Sequence, residues 1–494
     1  MLDKEIKELT AGKVPMHMPG HKRAMAPVEG LPYEIDITEI EGADDLHDAR
    51  GMLAASMKRA SALWGSKRTW YLVGGSTCGI LAGVRAAIPF GSEVIAARNC
   101  HRSVYHALEL GGYRVHWIYP PADPDYGFCL SVPPEEIGRA LRRFPDAAGV
   151  VITSPTYEGV LSDVRAIAAR CHRAGIPLIV DEAHGAHLGL FEEGGFAPGA
   201  VSRGADLVVQ SAHKTLPALT QTGLLHIGPR IRGQEVERQL GIFETSSPSY
   251  PLMASLDGCV DLLTERGPEL FEAWGARLDH FDQKTAGLAR IEIFGRGASG
   301  QEGRHPDMYA FDRSKILIGF HGLHLTGEEA AGILRERYGI ETEMAGPEYV
   351  LAMTGCGDTD ENLEILAAAL CEMDREYSEA EERPSGRAAG RPGTKARPEG
   401  EKPRAACAAY PKARTAMRSF DAVNEPWESV PVMSCVGRIS AEYLYLYPPG
   451  IPFLAPGEYI LEEHMAFLDA QKKRGVRVHH SRGGRDGFIA CVRE

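Results

Sequence analysis

Short apolar runs alternate with stretches of helical length over residues 52–227, and this alternation limits the possible folds more than any other feature. Amphipathic segments such as SDVRAIAARCHRAG (162–175) separate most of the runs. Apolar strands joined by helices are typical of a mainly parallel sheet covered on both faces. The sequence therefore predicts an α/β protein whose large domain holds a seven-stranded sheet. The runs that predict strands are TWYLV (69–73), SEVIAA (92–97), YRVHWI (113–118), GVVITS (149–154), IPLIVDEAH (176–184), ADLVVQSAHK (205–214) and TGLLHI (222–227).

Changes in composition divide the chain further. The first 50 residues are rich in Gly, Pro, His and Asp and predict irregular structure near the functional site. Residues 378–406 contain almost no large apolar side chains and predict a disordered linker. We expect five parts: an N-terminal segment (1–50), a large domain (51–255), a small α/β domain (256–377), the linker (378–406) and a C-terminal domain (407–494).

Charge and composition exclude some classes of function. The 494 residues carry a net charge of −13, which argues against nonspecific nucleic-acid binding and is compatible with a cationic substrate. The start of the chain has no apolar signal region, and no apolar run reaches the length of a membrane span. The ten cysteines include no CxxC pair. We expect a cytoplasmic protein with reduced thiols and without a membrane or nucleic-acid partner.

One lysine follows a predicted buried strand, in the stretch QSAHKTLPALTQTG (210–223). A lysine at such a place is usually exposed and solvated. However, Asp181 ends another predicted strand 214 − 181 = 33 residues before Lys214, and open parallel sheets bind ligands at the carboxyl ends of their strands. A buried lysine suits Schiff-base chemistry, and a nearby carboxylate suits the ring nitrogen of pyridoxal phosphate (PLP).

Two further stretches fit such a cofactor. VGGSTCGILAGV (73–84) follows a strand and opens a helix, where backbone N–H groups bind phosphate, although a lone glycine-rich turn is weak support. His101 follows the next strand and has either a structural role or a place against the pyridine ring.

DEAHGAH (181–187) also permits a metal site. Asp181, His184 and His187 are types of residue that bind zinc, although no fourth ligand is apparent in the sequence. A metal-dependent hydrolase is therefore a competing hypothesis.

Six stretches together resemble the Orn/Lys/Arg decarboxylases, which are PLP-dependent enzymes with the aspartate-aminotransferase fold. They occur in the order of that family and cover nearly the whole chain apart from residues 378–406. The chain looks like the short form, which lacks the wing domain found at the N-terminus of the long enzymes. The stretches are MPGHK, GGSTCG, NCHRSVYHA, DEAHGAH, SAHKTLPALTQTG and YPPGIPFLAPGE.

The resemblance implies a role for each matching residue. Lys214 would bind PLP covalently, with Asp181 on the ring nitrogen and His101 stacked on the ring. Lys214, His213 and Asp181 would carry the catalysis. The remaining expected contacts are with the phosphate (Ser76, Thr77, Ser211, His213), with the ring and its 3′-oxygen (Ala183, His184), and with the phosphate of a neighbouring subunit (Ser246, Ser247). A homodimer or a higher homo-oligomer with shared active sites follows from the same resemblance.

The implied activity is decarboxylation of a basic amino acid in polyamine biosynthesis. Short-form members favour arginine, which would give agmatine, while lysine and ornithine stay open. Two further hypotheses compete with this activity: a different PLP reaction on the same fold, such as transamination or aldol cleavage, and a non-catalytic regulatory paralogue. Five acidic side chains are candidates for binding the substrate or, equally, for solvated or helix-capping roles: Glu39, Glu41, Asp44, Asp45 and Glu442.

Overall fold

A seven-stranded sheet forms the centre of the larger part of the molecule. The computed structural model describes residues 1–295, 305–382, 410–447, 450–473, 476–482 and 487–494. Strands β2, β3, β4, β6 and β7 are parallel, and β8 is antiparallel to both of its neighbours, β7 and β1. The order is β1-β8-β7-β6-β4-β2-β3, which confirms the predicted sheet. The strands up to residue 227 are β1 (Arg68–Leu72), β2 (Glu93–Ala97), β3 (Arg114–Ile118), β4 (Ala147–Thr153), β5 (Val160–Leu161), β6 (Leu178–Asp181), β7 (Leu207–Gln210) and β8 (Gly223–Ile227).

Two predicted strands extend too far at their carboxyl ends. β6 stops at Asp181 and β7 stops at Gln210, although their apolar runs predicted strands to residues 184 and 214. After β7 the Ser211 N–H donates to the carbonyl of Ala183, and the chain turns into a four-residue helix. The polar residues that follow both strands therefore lie outside the sheet, at its carboxyl edge.

Helices connect and cover the strands of this sheet. Their buried positions are mostly apolar, so both faces of the sheet are shielded from water. The helices up to residue 243 are α1 (Leu2–Thr10), α2 (Met52–Trp64), α3 (Gly75–Ala87), α4 (Arg102–Leu110), α5 (Pro134–Arg143), α6 (Val164–Arg173), α7 (Ala212–Thr215) and α8 (Gly233–Phe243).

The first of these helices corrects the prediction that residues 1–50 are irregular. Leu2, Ile6 and Thr10 are spaced four residues apart and form one buried side of α1. The backbone N–H of Leu2 also donates to the Asp257 carboxylate at 2.6 Å. Most residues from 11 to 50 lie outside α-helices and strands, apart from two short 3₁₀ turns.

A four-stranded antiparallel sheet of order β12-β13-β11-β9 forms a second, smaller layer. Strand β10 instead pairs with β5 and so joins this part of the chain to the larger one. Thr326 and Glu329 form a capping box that begins α10. The elements of this part are α9 (Tyr250–Thr285), β9 (Glu292–Ile293), β10 (Ala310–Phe311), β11 (Lys315–Gly319), α10 (Gly327–Tyr338), β12 (Met344–Ala345), β13 (Tyr349–Met353) and α11 (Asp360–Glu382).

The C-terminal part consists of short strands and two helices. It packs against the carboxyl edge of the large sheet, where the Arg98 guanidinium forms two hydrogen bonds with the carboxylate of Glu458. Its elements are α12 (Ser419–Asn424), β14 (Trp427–Pro431), β15 (Leu444–Leu446), β16 (Ile451–Leu454), α13 (Glu462–Lys473), β17 (Val478–His480) and β18 (Phe488–Val492).

The predicted division into five domains stays a prediction. Helix α9 spans the predicted boundary at residues 255 and 256, and α11 continues to Glu382. The rest of the predicted linker lies outside the described residues. Over the part of the chain that the structure describes, no helix is both long and apolar enough to cross a membrane.

Candidate active site

The side chains of Lys214 and His184 meet at the carboxyl edge of the large sheet. Lys214 lies in α7, directly after β7, and His184 lies in the turns that follow β6. The Lys214 Nζ is 2.8 Å from the Nε2 of His184. The two strand ends that the sequence singled out therefore form one cluster.

The amine of Lys214 lies in an environment that favours its neutral form. Burial lowers the pKa of Lys214, and the charge of Asp181 opposes this shift, while Lys315 lowers the pKa further and Glu343 raises it. Because the pKa is lowered overall, the amine is a better nucleophile near neutral pH than a solvated lysine.

Asp181 is the last residue of β6 and is 3% exposed. Its carboxylate accepts a hydrogen bond from the backbone N–H of Ala183 at 3.2 Å. Burial raises the pKa of Asp181, whereas Lys214 and the Ala183 N–H lower it. A buried carboxylate with so little compensation is stabilised by any additional cation or N–H donor placed beside it.

The start of α3 forms the second edge of the cluster. The Ser211 hydroxyl donates to the Ser76 hydroxyl at 2.9 Å, so the ends of β7 and of the glycine-rich turn meet. Gly75 has a φ of +73° there, a conformation that favours glycine. Thr77 is in the same turn and is exposed. Helix α3 has no side-chain cap, so its first N–H groups suit an anion.

The sequence prediction missed Glu244, which holds this turn from the carboxyl end of α8. Its Oε1 accepts from the backbone N–H of Val73 at 2.7 Å and from that of Gly74 at 3.4 Å. Its position in the chain, far from the glycine-rich turn, carries no signal of this contact.

His101 and His213 lie on two sides of the cluster. The Nδ1 of His101 accepts from the backbone N–H of Ser103 and so caps α4. Burial, together with the charge of Lys214, lowers the pKa of His101 to about 3, so the ring stays neutral. His213 donates from Nδ1 to the carbonyl of Thr222 at 2.8 Å, which leaves Nε2 as its basic nitrogen.

A second lysine, which is buried and which the sequence prediction missed, reaches the cluster from β11. Lys315 is 1% exposed, and its Nζ donates to the carbonyl of His184 at 3.2 Å and to the Asp312 carboxylate at 3.4 Å. Asp312 in turn bonds the Nε2 of His187 at 3.1 Å. The side chain of Lys315 lies close to Gly159, where an added Cβ would be 2.9 Å from the Lys315 Cβ.

These contacts form an interlayer clamp, made of Asp312 and Lys315, on the segment from His184 to His187. The clamp fixes the segment that carries the hydrogen-bond partner of Lys214. The sequence does hold a weak signal for it, because DRSK places charged residues at the start of the apolar run ILIGF.

Tyr157 and Glu343 complete the cluster, and the sequence prediction named neither. The ring of Tyr157 lies 4.3 Å from the ring of His184, centroid to centroid, and its centroid is 6.0 Å from the Lys214 Nζ. Its hydroxyl donates to the Glu343 carboxylate. The ring of Tyr157 thus lies near the Lys214 amine, and the exposed carboxylate of Glu343 is hydrogen-bonded to that tyrosine.

Of the five acidic side chains that the sequence suggested for substrate binding, three form hydrogen bonds within the fold. Asp44 accepts backbone N–H groups at the start of α2, and Asp45 accepts from the N–H of His47. Glu442 is fully buried and bonds His480 and the N–H of Ala490. Glu39 and Glu41 are exposed.

Ser246 and Ser247 are exposed in the single chain. The Ser247 N–H donates to the Thr245 hydroxyl, while the Thr245 carbonyl bonds His47. Their expected contact with a neighbouring subunit stays a prediction.

The metal hypothesis finds no support in the positions of its three ligands. Residues 182–188 form turns rather than a helix, His184 bonds Lys214, and His187 bonds Asp312. No group of three or more His, Cys, Asp or Glu side chains suited to a metal ion occurs within the described ranges.

Comparison with known proteins gives the same family as the sequence motifs. The model of the Orn/Lys/Arg decarboxylase major domain matches residues 10–361, and that of the family's C-terminal domain matches residues 404–477. An arginine decarboxylase of Halalkalibacterium halodurans is 30% identical over 475 residues, which cover 94% of this chain and 91% of that protein. An arginine decarboxylase of Bacillus subtilis is 30% identical over 495 residues, covering 99% and 96%.

The fold also agrees with a solved structure. The lysine decarboxylase of Francisella novicida superposes with a TM-score of 0.81 at 18% identity, over 100% of this chain and 81% of the other. The aspartate-aminotransferase-like fold is thereby confirmed. The chain belongs to the Orn/Lys/Arg decarboxylase family.

Proposed function

We propose that this protein is a PLP-dependent decarboxylase that converts a basic amino acid, with arginine as the favoured substrate, to its amine and CO₂. The observation that carries the proposal is the pairing of a partly buried Lys214 with His184, close to the buried carboxylate of Asp181, whose pKa burial raises. Arginine is favoured because two relatives that match nearly the whole chain are named arginine decarboxylases. The product would then be agmatine.

The residues present fit pyridoxal phosphate. Asp181 is a buried carboxylate that needs a partner, and it would hold the protonated ring nitrogen. The ring would lie against His101, Ala183 and His184, and the orphaned Nδ1 of buried His184 is a polar atom that a ligand group would satisfy.

The phosphate would bind at the start of α3. The hydroxyls of Ser76 and Ser211 are hydrogen-bonded there, Thr77 follows Ser76, and His213 lies two residues after Ser211. The helix N-terminus adds its partial positive charge, which favours a dianion.

When bound, PLP supplies an electron sink conjugated to the substrate Cα. Lys214 would hold the cofactor through its Nζ, since its pKa is lowered and the amine is therefore more nucleophilic than that of a solvated lysine. When the bond from Cα to the carboxylate breaks, CO₂ leaves, and the site has to deliver one proton to Cα in its place. Lys214 or His213 delivers that proton to Cα, and His184, 2.8 Å from the Lys214 Nζ, exchanges protons with the amine.

The chain presents negative charge to an incoming substrate. Glu343 is exposed and contacts Tyr157, and its charge acts on Lys214. A cationic amino acid is attracted to such a site, whereas a dicarboxylic one is repelled. We further propose a homodimer or a higher homo-oligomer in the cytoplasm, in which Ser246 and Ser247 contact the phosphate of the neighbouring subunit.

The deciding experiment incubates the PLP-loaded protein separately with arginine, lysine and ornithine and measures CO₂ and the amine formed. We expect agmatine from arginine. Lys214→Ala should lose both turnover and the visible absorbance of lysine-bound PLP, and Lys58→Ala, at an exposed lysine, is the matched control. A product that is a keto acid without CO₂ release would identify a transaminase and refute the proposal. Purified protein that takes up no PLP would refute it as well.

A further inference from the structure

A cavity of about 100 Å³ lies where the large sheet, the four-stranded sheet and the C-terminal part meet. Asn99 and Glu158 line it from the larger part, Ala345 from β12, and Leu446 from β15. Tyr157 also lines it and contacts His184 in the active site, so one ring belongs to both places.

The cavity contains two buried acceptor groups, the carboxylate of Glu158 and the side-chain oxygen of Asn99. Glu158 is 7% exposed, and its Oε1 accepts from the Tyr349 hydroxyl at 3.2 Å. Burial raises the pKa of Glu158, although hydrogen bonds from its own backbone N–H and from the hydroxyls of Thr156 and Tyr349 oppose the shift. Asn99 is 5% exposed, and its Oδ1 has no hydrogen-bond partner among the described residues. Buried acceptors of this kind are normally satisfied, and an orphan indicates a missing donor.

The walls of the cavity favour a positive charge. Among the described residues that line it there is no Lys, Arg or His. Aromatic faces attract cations, and a desolvated carboxylate attracts them further. Six aromatic side chains line the cavity: Tyr126, Phe128, Tyr157, Tyr349, Tyr410 and Phe467.

We propose that this cavity, the Glu158 pocket, binds the ammonium or guanidinium group of a small aliphatic amine. Several N–H donors on one cation would satisfy both Glu158 and Asn99, and the alkyl part would lie against the rings. The inference rests on the proposed function, because that reaction consumes a basic amino acid and releases an amine, and both carry such a cationic group. Two sources share this chemistry: the distal group of the substrate bound at Lys214, and a separate amine molecule such as the product.

Isothermal titration of the PLP-loaded protein with agmatine, cadaverine and putrescine tests the pocket without turnover. We expect Glu158→Gln, which keeps the shape and removes the charge, to weaken binding about tenfold or more, as for loss of a charged hydrogen bond. Ala345→Phe, which places a ring in the cavity and leaves Glu158 in place, should weaken binding as well. Glu341→Gln, at an exposed glutamate on the same part of the chain, should leave it unchanged.

Steady-state kinetics distinguish the two sources. If the substrate's distal group occupies the pocket, Glu158→Gln raises KM for the basic amino acid, and the amines inhibit competitively. If a separate amine occupies it, KM is unchanged, and Glu158→Gln removes a noncompetitive component of inhibition.

Two results would overturn the inference: wild-type protein that binds none of the three amines, or equal affinity in wild type, Glu158→Gln and Ala345→Phe. The proposed function fails in a different way, through the absence of CO₂ from all three amino acids. Amine binding that depends on Glu158 would still support the pocket in that case.

Discussion

Two cations at the carboxyl edge of the large sheet, the buried Arg98 and the partly buried Lys214, have very different surroundings. Arg98, directly after β2, is 1% exposed; its guanidinium contacts both oxygens of Glu458, at 2.5 and 2.9 Å, and the carbonyl of Phe453. It also lies over the rings of Tyr105 and Trp117. Lys214, after β7, has a neutral imidazole as its hydrogen-bond partner.

The pKa directions express the same difference. Burial lowers the pKa of Arg98, but the Glu458 carboxylate outweighs it, and the net shift is upward. Burial also lowers the pKa of Lys214, and the more distant carboxylates do not outweigh it. A buried cation with a full set of partners holds parts of the chain together, whereas one without them is available for chemistry.

Replacing each of the two cations with methionine tests this contrast directly. The largest expected effect is the loss of activity in Lys214→Met. Lys214→Met should abolish decarboxylation, because no amine remains to bind the cofactor. The free energy of unfolding of the cofactor-free protein should stay the same or rise, because a partly buried amine that lies in an unfavourable environment for its charged form is removed. Activity assays and urea denaturation measure the two effects. A large loss of stability in Lys214→Met would contradict the contrast.

Arg98→Met should have the opposite profile. It leaves Glu458 buried without its partner, so the free energy of unfolding should fall by about 3–5 kcal/mol. The double variant Arg98→Met with Glu458→Met should lose less than the single one, since no charge remains unpaired. Urea denaturation of the three proteins checks this. Equal stability of Arg98→Met and wild type would show that the pair does not join the C-terminal part to the sheet.

Lys315→Met tests how the interlayer clamp acts on Lys214. Lys315 lowers the pKa of Lys214, so its removal should raise that pKa, and it should reduce activity less than Lys214→Met does. The pH dependence of Lys214 modification by an amine-reactive reagent, in cofactor-free protein, measures the shift. Lys284→Met, at an exposed lysine that pairs with Glu364, is the control. An unchanged or lower pKa would show that Lys315 acts only on packing.

The smallest expected effect concerns a group that is buried in its neutral form. Burial lowers the pKa of His226 to about 3 from its usual 6.5. Between these two values the unfolded chain binds a proton that the folded chain does not, so stability is full above about pH 6.5 and falls as the pH is lowered towards 3. Urea midpoints measured between pH 7.5 and 5 should show a shallower loss in His226→Gln than in wild type. His280→Gln, at an exposed histidine, should keep the wild-type slope. An unchanged slope in His226→Gln would contradict this assignment.

Periodicity in the sequence was sufficient for the large sheet. The seven apolar runs became the seven strands, because burial on both faces leaves a continuous apolar signal in each strand. The predicted ends of two strands were less accurate: β6 ends at Asp181 and β7 ends at Gln210, before the predicted ends. The polar residues that follow each strand do not indicate at which residue its backbone hydrogen bonds to the neighbouring strands stop.

The N-terminal helix was missed for a different reason. α1 is short and charged, and it is stabilised by contacts with α9 about 250 residues away, among them the hydrogen bond from the Leu2 N–H to the Asp257 carboxylate. Local composition does not contain that information. The roles of Asp44, Asp45 and Glu442 were decided in the same way, by backbone N–H groups and a histidine that the fold brings to their carboxylates.

The sequence by itself determined the family, the parallel sheet and the two strand ends near which Asp181 and Lys214 lie. Each of these can be recognised from a contiguous motif or from the periodicity of apolar residues over a short stretch. Only the tertiary structure decided which groups surround that pair. His184 bonds Lys214, Lys315 and Asp312 arrive from another sheet, and Glu158 faces a cavity among three parts of the chain. Burial and the distances between charges set the pKa values of such groups, and both depend on residues that are far apart in sequence.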